Sequence, residues 1–520
     1  MSLPVPPEQT KSCGVSEPSL LDSPLSSHVQ DQPKPYVSFT GKLSVGVGTL
    51  ALFLGYSMLY VMAAPVYNMT LKVNAALLGG ALFIPRFLDA FLDPVMGKIS
   101  DNTRSRWGRR RPFIVVGAIL MGLIYGVIWM VPADWSESAK LVYLVGLSLV
   151  FFVGYSMFAV PYTSLTYEMT PDYNERTTIM AFCSFFQKAG ELGYQYVFPL
   201  SVAIFAPAVA SLLTTQGLTD ASHTGSVMHG VRITNWVLGV VFMAGVGMLP
   251  GLFVRERFHH VAEHQAPVKL WASMRDALRY RPFFVLITLT ILNVLGGMFT
   301  SSLDQYVLVY YMFHGNTAHG TLWKGFLSTG YAIVGFAAIP TVIWVAKWLG
   351  KRRALIAIYG LTCFGGLAKW FDFSPRYPWL IFLDPILCGP IWIAVIVVIN
   401  SMIADICDED ELRSGQRREG MYGAIFNWVQ KLAVSLSLLG TGLTLQLSGF
   451  DPKLEGSQST AVLTTMRLFI VGATSVTAVL AIWALRYYAL TPERAAETRR
   501  LLEARRAQAG LAPAAGGGPA

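Results

Sequence analysis

Of 520 residues, 53% are apolar and only 14% are charged, with a mean hydropathy of +0.48. A soluble protein carries about a quarter charged residues, so a string of soluble domains is excluded and much of this surface is predicted never to meet water. The 40 Lys and Arg outnumber the 31 Asp and Glu, giving +9, but they sit in short loops between apolar runs, the pattern that orients membrane proteins, and no nucleic-acid motif accompanies them.

Residues 1–38 are rich in Pro, Ser and acid and lack the basic-then-apolar layout of a signal peptide, which predicts a disordered cytoplasmic tail. A bilayer core of about 30 Å needs ~20 apolar residues per helix. Twelve segments satisfy this, near 39–65, 73–99, 113–132, 139–168, 178–206, 232–254, 282–312, 322–348, 353–372, 378–406, 420–447 and 462–490. They predict an all-α membrane protein with a six-helix half at 39–254, a central cytoplasmic loop at 255–281 and a second six-helix half at 282–490. A cytoplasmic tail at 491–520 closes the chain, with a short helix that starts at Pro492 after a Thr491 cap.

Orientation is set by the loops. The one after segment two holds Lys98, Arg104, Arg106, Arg109, Arg110 and Arg111 against Asp101 alone, and those after segments six and eight are also basic. Basic loops stay cytoplasmic, so both termini are predicted inside. GKISDNTRSRWGRRR after segment two is echoed by AKWLGKRRA after segment eight, at the matching place in the other half. Two pseudo-repeated halves around a midplane site are a transporter architecture. Gly122 and Gly126, spaced GxxxG in segment three, suit close helix packing. Cys13, Cys183, Cys363, Cys388 and Cys407 are scattered and read as small apolar residues, while His259, His260 and His264 lack metal-ligand partners.

The informative residues are polar ones inside apolar segments. In segment two, Asp89 and Asp93 lie one turn apart on one helix face, and Arg86 joins that face three residues earlier. Each intramembrane carboxylate costs about 2.5–3.5 kcal/mol on insertion scales. Arg86 can neutralise one and a bound cation the other; the bland alternative is an Arg–Asp pair that only locks helices. Carboxylate oxygens are hard ligands that suit Na⁺ or a proton. Lys431 in segment eleven is expected to meet Asp89 or Asp93 across the two halves, unless it snorkels to an interface. In segment five, Lys188, Glu191 and Gln195 share a polar face that lines a cavity or pairs internally. Asn293, Asp304, Tyr306 and Asp384 are weaker candidates for the same cavity. No GxxxxGK[ST] loop, nucleophile elbow, HExxH or TVGYG filter occurs, which argues against an ATP-driven pump, an intramembrane enzyme and a potassium channel. No cofactor is expected beyond the coupling ion.

The stretches RFLDAFLDPVMGKISDNTRSRWGRRRPFI, AVPYTSL and SMIADICDEDELRSGQRREGMYGAIFNWVQK resemble, in order, the glycoside–pentoside–hexuronide:cation symporters of the major facilitator superfamily. The resemblance covers nearly all of 39–490 and implies the major facilitator fold, with Na⁺, Li⁺ or H⁺ symport by alternating access. It also implies a multi-pass protein of the bacterial inner membrane, working as a monomer on a small polar solute such as a sugar or glycoside. By position, Asp89 and Asp93 match the family's cation-site acids, Ser156 falls at a cation-site Thr, and Lys431 matches the segment-eleven Lys. Asp101, Arg109, Arg110, Asp405, Asp408, Arg417 and Arg418 look like its cytoplasmic gate. Departures fall on the sugar side. Ala159 replaces a sugar-binding Asp of the melibiose-transporting members, Thr163 a Trp, and Ser184 an Arg. The galactoside half is therefore rebuilt, which leaves Lys188, Glu191, Gln195, Thr163 and Asp304 as candidate solute contacts. The GRRRPF loop is similar to that of plant-type sucrose transporters, and the animal sodium-coupled lysophosphatidylcholine transporter resembles the same family. H⁺-coupled disaccharide uptake and lysolipid transport are thus alternatives, and a non-transporting sensor is a third.

Overall fold

Among the described residues every regular element is helical, as a bilayer that offers no partner for an unpaired backbone group requires. The computed structural model describes residues 37–170, 173–205, 221–254, 277, 279–414, 419–488, 490 and 492–508. The first half holds α1 (Phe39–Ala63, prolonged by a π-helical stretch Ala64–Thr70), α2 (Ala75–Asn102), α3 (Arg111–Ile128) and α4 (Glu137–Glu168). It continues with α5 (Tyr173–Gly193, carried on by Val197–Phe205) and α6 (Ala221–Val237, carried on to Phe253). The second half holds α7 (Arg281–Tyr306, then Val307–Met312), α8 (Thr317–Leu349) and α9 (Lys351–Asp372). After it come α10 (five helical pieces from Pro378 to Ser414), α11 (Glu419–Leu447), α12 (Thr460–Leu485) and the terminal α13 (Pro492–Gln508).

Ten of the described helices are long and apolar enough to cross a membrane. The helices at the fifth and eleventh positions are not among them, and these two carry Lys188, Glu191 and Lys431. Their polar residues turn inward, which lowers the mean hydropathy of the helix without exposing charge to lipid. Segment six was expected from residue 232, but its helix starts at Ala221, because a helix can run past the bilayer surface on polar residues. Segment ten was expected as one continuous run. Instead α10 is broken around Pro385, Gly389 and Pro390 and contains a π-helical turn at Val395–Ile399, irregularity that membranes tolerate where backbone lines a cavity. The expected tail at 1–38, save Val37 and Ser38, and most of the expected loop at 255–281 lie outside the described residues, as do His259, His260 and His264.

Helix starts are set by local chemistry. Ser38, Asn74, Ser136, Asn316 and Ser459 each accept a hydrogen bond from a backbone N–H of the first turn they precede. One buried apolar cluster is drawn from residues 37–254, a second from 277–490, and a third joins Met69 and Ala75 to residues 303–470. Large apolar side chains such as Val142, Trp348 and Phe364 face outward, the reverse of a soluble pattern.

The halves meet closely at the α2–α11 crossing. A Cβ on Gly79 would sit 2.8 Å from the Leu438 carbonyl oxygen, and one on Gly442 only 2.5 Å from that of Ala75. At the same end of the molecule Lys72 pairs with Glu455 at 2.7 Å, and Tyr196 bonds Thr329 at 2.8 Å. Inside the first half, a Cβ on Gly122 would collide with the Gly239 carbonyl oxygen and one on Gly126 would meet the Trp236 ring at 2.6 Å, so the GxxxG face packs α3 on α6. Overpacking costs about 1–3 kcal/mol. Gly122→Val is therefore expected to lower the melting temperature of the solubilised protein, whereas Gly80→Val, with nothing within 4 Å of the added carbon, leaves it nearly unchanged.

Candidate functional site

The i,i+4 spacing on α2 puts Asp89 and Asp93 on one face, and α4 and α11 close around it. Ser156 Oγ of α4 lies 2.9 Å from Asp89 Oδ1 and 2.9 Å from Asp93 Oδ1. Lys431 Nζ of α11 reaches Asp89 Oδ2 at 2.9 Å and Asp93 Oδ2 at 2.6 Å, so the charge pair spans the two halves. Arg86 Nη1 donates to Asp89 Oδ2 at 3.0 Å. Its guanidinium is fully buried and lies over the Tyr56 ring, 4.2 Å from the centroid. Two cations thus balance two carboxylates in a place where isolated charge is expensive. A hydroxyl carries one proton. Ser156 can donate to only one of the carboxylates at a time and turns lone-pair density towards the other.

A cavity of ≈ 540 Å³ lies beside this cluster. Tyr56 and Tyr155 line it and separate it from the ions, since Tyr56 covers Arg86 and the Tyr155 ring stands 6.0 Å from Lys431 Nζ. Lys188, Glu191 and Gln195 of α5 line the cavity, as do Asn293 and Asp304 of α7. Lys188 and Glu191 also pair with each other at 2.5 Å. Three expectations fail here. Thr163 is absent from the lining and donates to the Ala159 and Val160 carbonyls of its own helix, because its position on α4 faces away from the cavity. Tyr306 is buried in an apolar cluster, and Asp384 stands behind the cavity wall.

Two functional-looking lysines escaped the sequence reading. Lys324 of α8 and Lys369 of α9 both line the cavity and are buried. Lys369 forms an ion pair with Asp384 at 2.8 Å, and Asp304 stands 3.7 Å from Lys369 and 3.8 Å from Lys324. Both lysines lie inside expected membrane segments, so the rule that singled out Lys431 was available for them too.

Of the expected gate, Asp101 pairs with Arg110 at 3.2 Å and Arg109 at 3.8 Å, and Glu168, which the sequence did not single out, joins both arginines. Asp405 pairs with Lys351 at 2.5 Å, within the other half. Asp408 lies on the same helix as Asp405, while Arg417 and Arg418 lie outside the described residues. Glu409 fastens α13 to α10 through Arg494 at 2.6 Å.

An α-helical bundle with an apolar exterior, buried ion pairs and a polar internal cavity defines a multi-pass membrane transporter. The profile of the MFS/sugar transport protein family matches residues 44–492. The chain belongs to that family and to the glycoside–pentoside–hexuronide:cation symporters of the major facilitator superfamily. An uncharacterised symporter of Synechocystis is 27% identical over 485 residues, spanning 80% of this chain and 87% of that one. The isoprimeverose transporter of Lactiplantibacillus pentosus is 24% identical over 428 residues, spanning 80% and 82%. Among solved structures, the D-xylose–proton symporter superposes with a TM-score of 0.59 at 13% identity, covering 88% of this chain and 98% of its own. That likeness shows a shared fold.

Breaking a buried ion pair from one side leaves the other charge stranded, at about 3–5 kcal/mol. Lys431→Ala is expected at the low end, ~3 kcal/mol, because Asp93 is 33% exposed. Thermal unfolding of Lys431→Ala, Asp93→Asn and the double variant checks this, and the double variant is expected to be more stable than Lys431→Ala alone.

Proposed function

We propose that this protein is a secondary active symporter that couples entry of Na⁺ or H⁺ to uptake of a sugar or glycoside by alternating access. It works as a monomer of twelve spans with both termini cytoplasmic, in a bacterial inner membrane. The observation that carries the reading is the placement of Ser156 Oγ at 2.9 Å from both Asp89 and Asp93. Three hard oxygens converge where a hydroxyl proton can satisfy only one carboxylate. A proton on the second acid or an alkali cation among the three oxygens removes the repulsion.

Charge balance then sets the coupling. Arg86 and Lys431 already neutralise Asp89 and Asp93, so an arriving cation competes with the Lys431 ammonium for the Oδ2 atoms. Loosening Lys431 weakens the tie between α2 and α11 and frees the halves to rock about the cavity. Tyr56 and Tyr155 touch both ion cluster and cavity, which gives solute and cation a shared wall. Coupling is reciprocal, so solute tightens cation binding by the factor that the cation tightens solute binding. Lys188, Glu191, Gln195 and Asp304 contact the solute. Asp101, Arg109, Arg110 and Glu168, with Asp405, Asp408 and Lys351, form ionic contacts at the cytoplasmic face that part and re-form, and Arg417 and Arg418 belong to the same group by resemblance. Relatives named as an isoprimeverose transporter, a glycoside/cation symporter and a glucuronide carrier homologue support a glycoside as passenger.

The test is uptake of labelled glycosides into proteoliposomes under separately imposed Na⁺ and H⁺ gradients. The wild type is expected to accumulate solute under one of them. Asp89→Asn and Asp93→Asn are each expected to abolish accumulation. Gradient-driven accumulation that survives both changes together overturns the reading.

A further inference from the structure

The second buried ion network, in the wall of the cavity, bears on which passenger is carried, and the selectivity inferred from it rests on the symport proposed above. Among the described residues, the charged groups that line the cavity are Lys188, Glu191, Asp304, Lys324 and Lys369. Each lysine has its own acid. Glu191 answers Lys188 at 2.5 Å, Asp304 answers Lys324 at 3.8 Å, and Asp384, just behind the wall, answers Lys369 at 2.8 Å. Asp372, one turn from Lys369 and mostly buried, adds negative charge on that side. Among these groups no positive charge is left over for an anion.

The network is not uniformly tight. Lys369 and Asp384 are close, and Tyr331 donates to Asp384 at 2.9 Å, so that part ties α8, α9 and α10 together. The Asp304–Lys324 part is looser and faces the cavity. Lys324 Nζ donates to the Ser301 carbonyl at 2.8 Å and to its hydroxyl at 3.1 Å, which leaves one of three ammonium hydrogens without a bond. Asp304 Oδ1 is buried and accepts no hydrogen bond. One donor without a bond thus stands in the cavity wall near one unsatisfied acceptor buried just beneath it. A solute hydroxyl is the group that answers both, because its oxygen accepts from Lys324 while its hydrogen goes to Asp304. A buried acceptor without a donor is costly, so filling this pair favours a polyol.

We infer that the passenger is an uncharged glycoside, held on the second-half side by a hydroxyl clamped between Asp304 and Lys324, and that anionic uronides are excluded. A carboxylate in this cavity would lose its water and find every ammonium already matched, with Glu191 and Asp304 as like-charged neighbours. Neutral hydroxyls meet no such barrier. Their one requirement is a donor and an acceptor side by side.

The experiment uses the full-length protein in proteoliposomes under imposed Na⁺ or H⁺ gradients. The probes are the 4-nitrophenyl glycosides of xylose, glucose and galactose, set against 4-nitrophenyl glucuronide. At least one neutral glycoside is expected to accumulate tenfold or more above the glucuronide. Glucuronide accumulation equal to or above that of every neutral probe overturns the inference and leaves symport standing, whereas failure of all probes under every gradient removes both. Asp304→Asn unbalances one lysine and is expected to narrow the neutral-to-glucuronide ratio at least tenfold. Asp304→Asn combined with Lys324→Met restores the match of each lysine to an acid and is expected to exclude glucuronide again while weakening the neutral glycoside at least tenfold. If the double variant admits glucuronide as readily as the single one, charge balance is not the filter and the inference fails.

Discussion

Charge inside a bilayer has to be answered by charge from the same molecule, and in this protein that constraint ties the two halves together. Lys431 arrives from α11 to meet Asp89 and Asp93 of α2, 2.9 and 2.6 Å away. Water would dissolve such a contact, since an exposed pair is worth at most about 1 kcal/mol. In a membrane interior neither partner has water as an alternative, so the pair holds. The glycine contacts at Gly79 and Gly442 bring α2 and α11 near enough for this reach.

A second consequence is the separation of the Asp89 ion-pair cluster from the cavity. The Asp89 cluster is compact and screened by Tyr56 and Tyr155, whereas the cavity has its own network of paired charges built from α7, α8, α9 and α10. The ion cluster is thus balanced across the two halves, and each lysine of the cavity wall is answered by an acid of its own half. A bundle in which any of these were unbalanced would face several kcal/mol of desolvation on closing around a solute. The break in α10 serves the same end. Gly389 and Pro390 interrupt the helix where its backbone borders the cavity, so Cys388 and Trp392 both reach the lining.

Much of the ion cluster was legible in the sequence, because its members lie on one helix at spacings that helical geometry converts directly into adjacency. Asp89 and Asp93 needed only the 3.6-residue period, and Arg86 came from the same face. Lys431 was legible for a different reason: an ammonium deep in an apolar run has to find an acid, and acids in such runs are few. Thr163 was misplaced because a residue's face on α4 cannot be known until the neighbours of α4 are known. Lys324 and Lys369 passed unnoticed although they obey the same rule as Lys431. Their partners Asp304 and Asp384 lie on other helices, and no spacing along the chain connects them. Glu168 and Lys351 were hidden in the same way, since a charge near a helix end is ordinary until its partner is seen.

Composition and hydropathy, read alone, determined that this chain is a helical membrane protein, where most of its spans lie and which residues are too polar for lipid. Those are properties of a segment in a solvent, and a linear sequence states them directly. Which polar residue meets which was decided only when the helices packed. Pairing Lys369 with Asp384, turning Thr163 away and leaving Asp304 Oδ1 buried without a donor depend on the rotation of each helix about its axis, which is set by side chains on several neighbours at once.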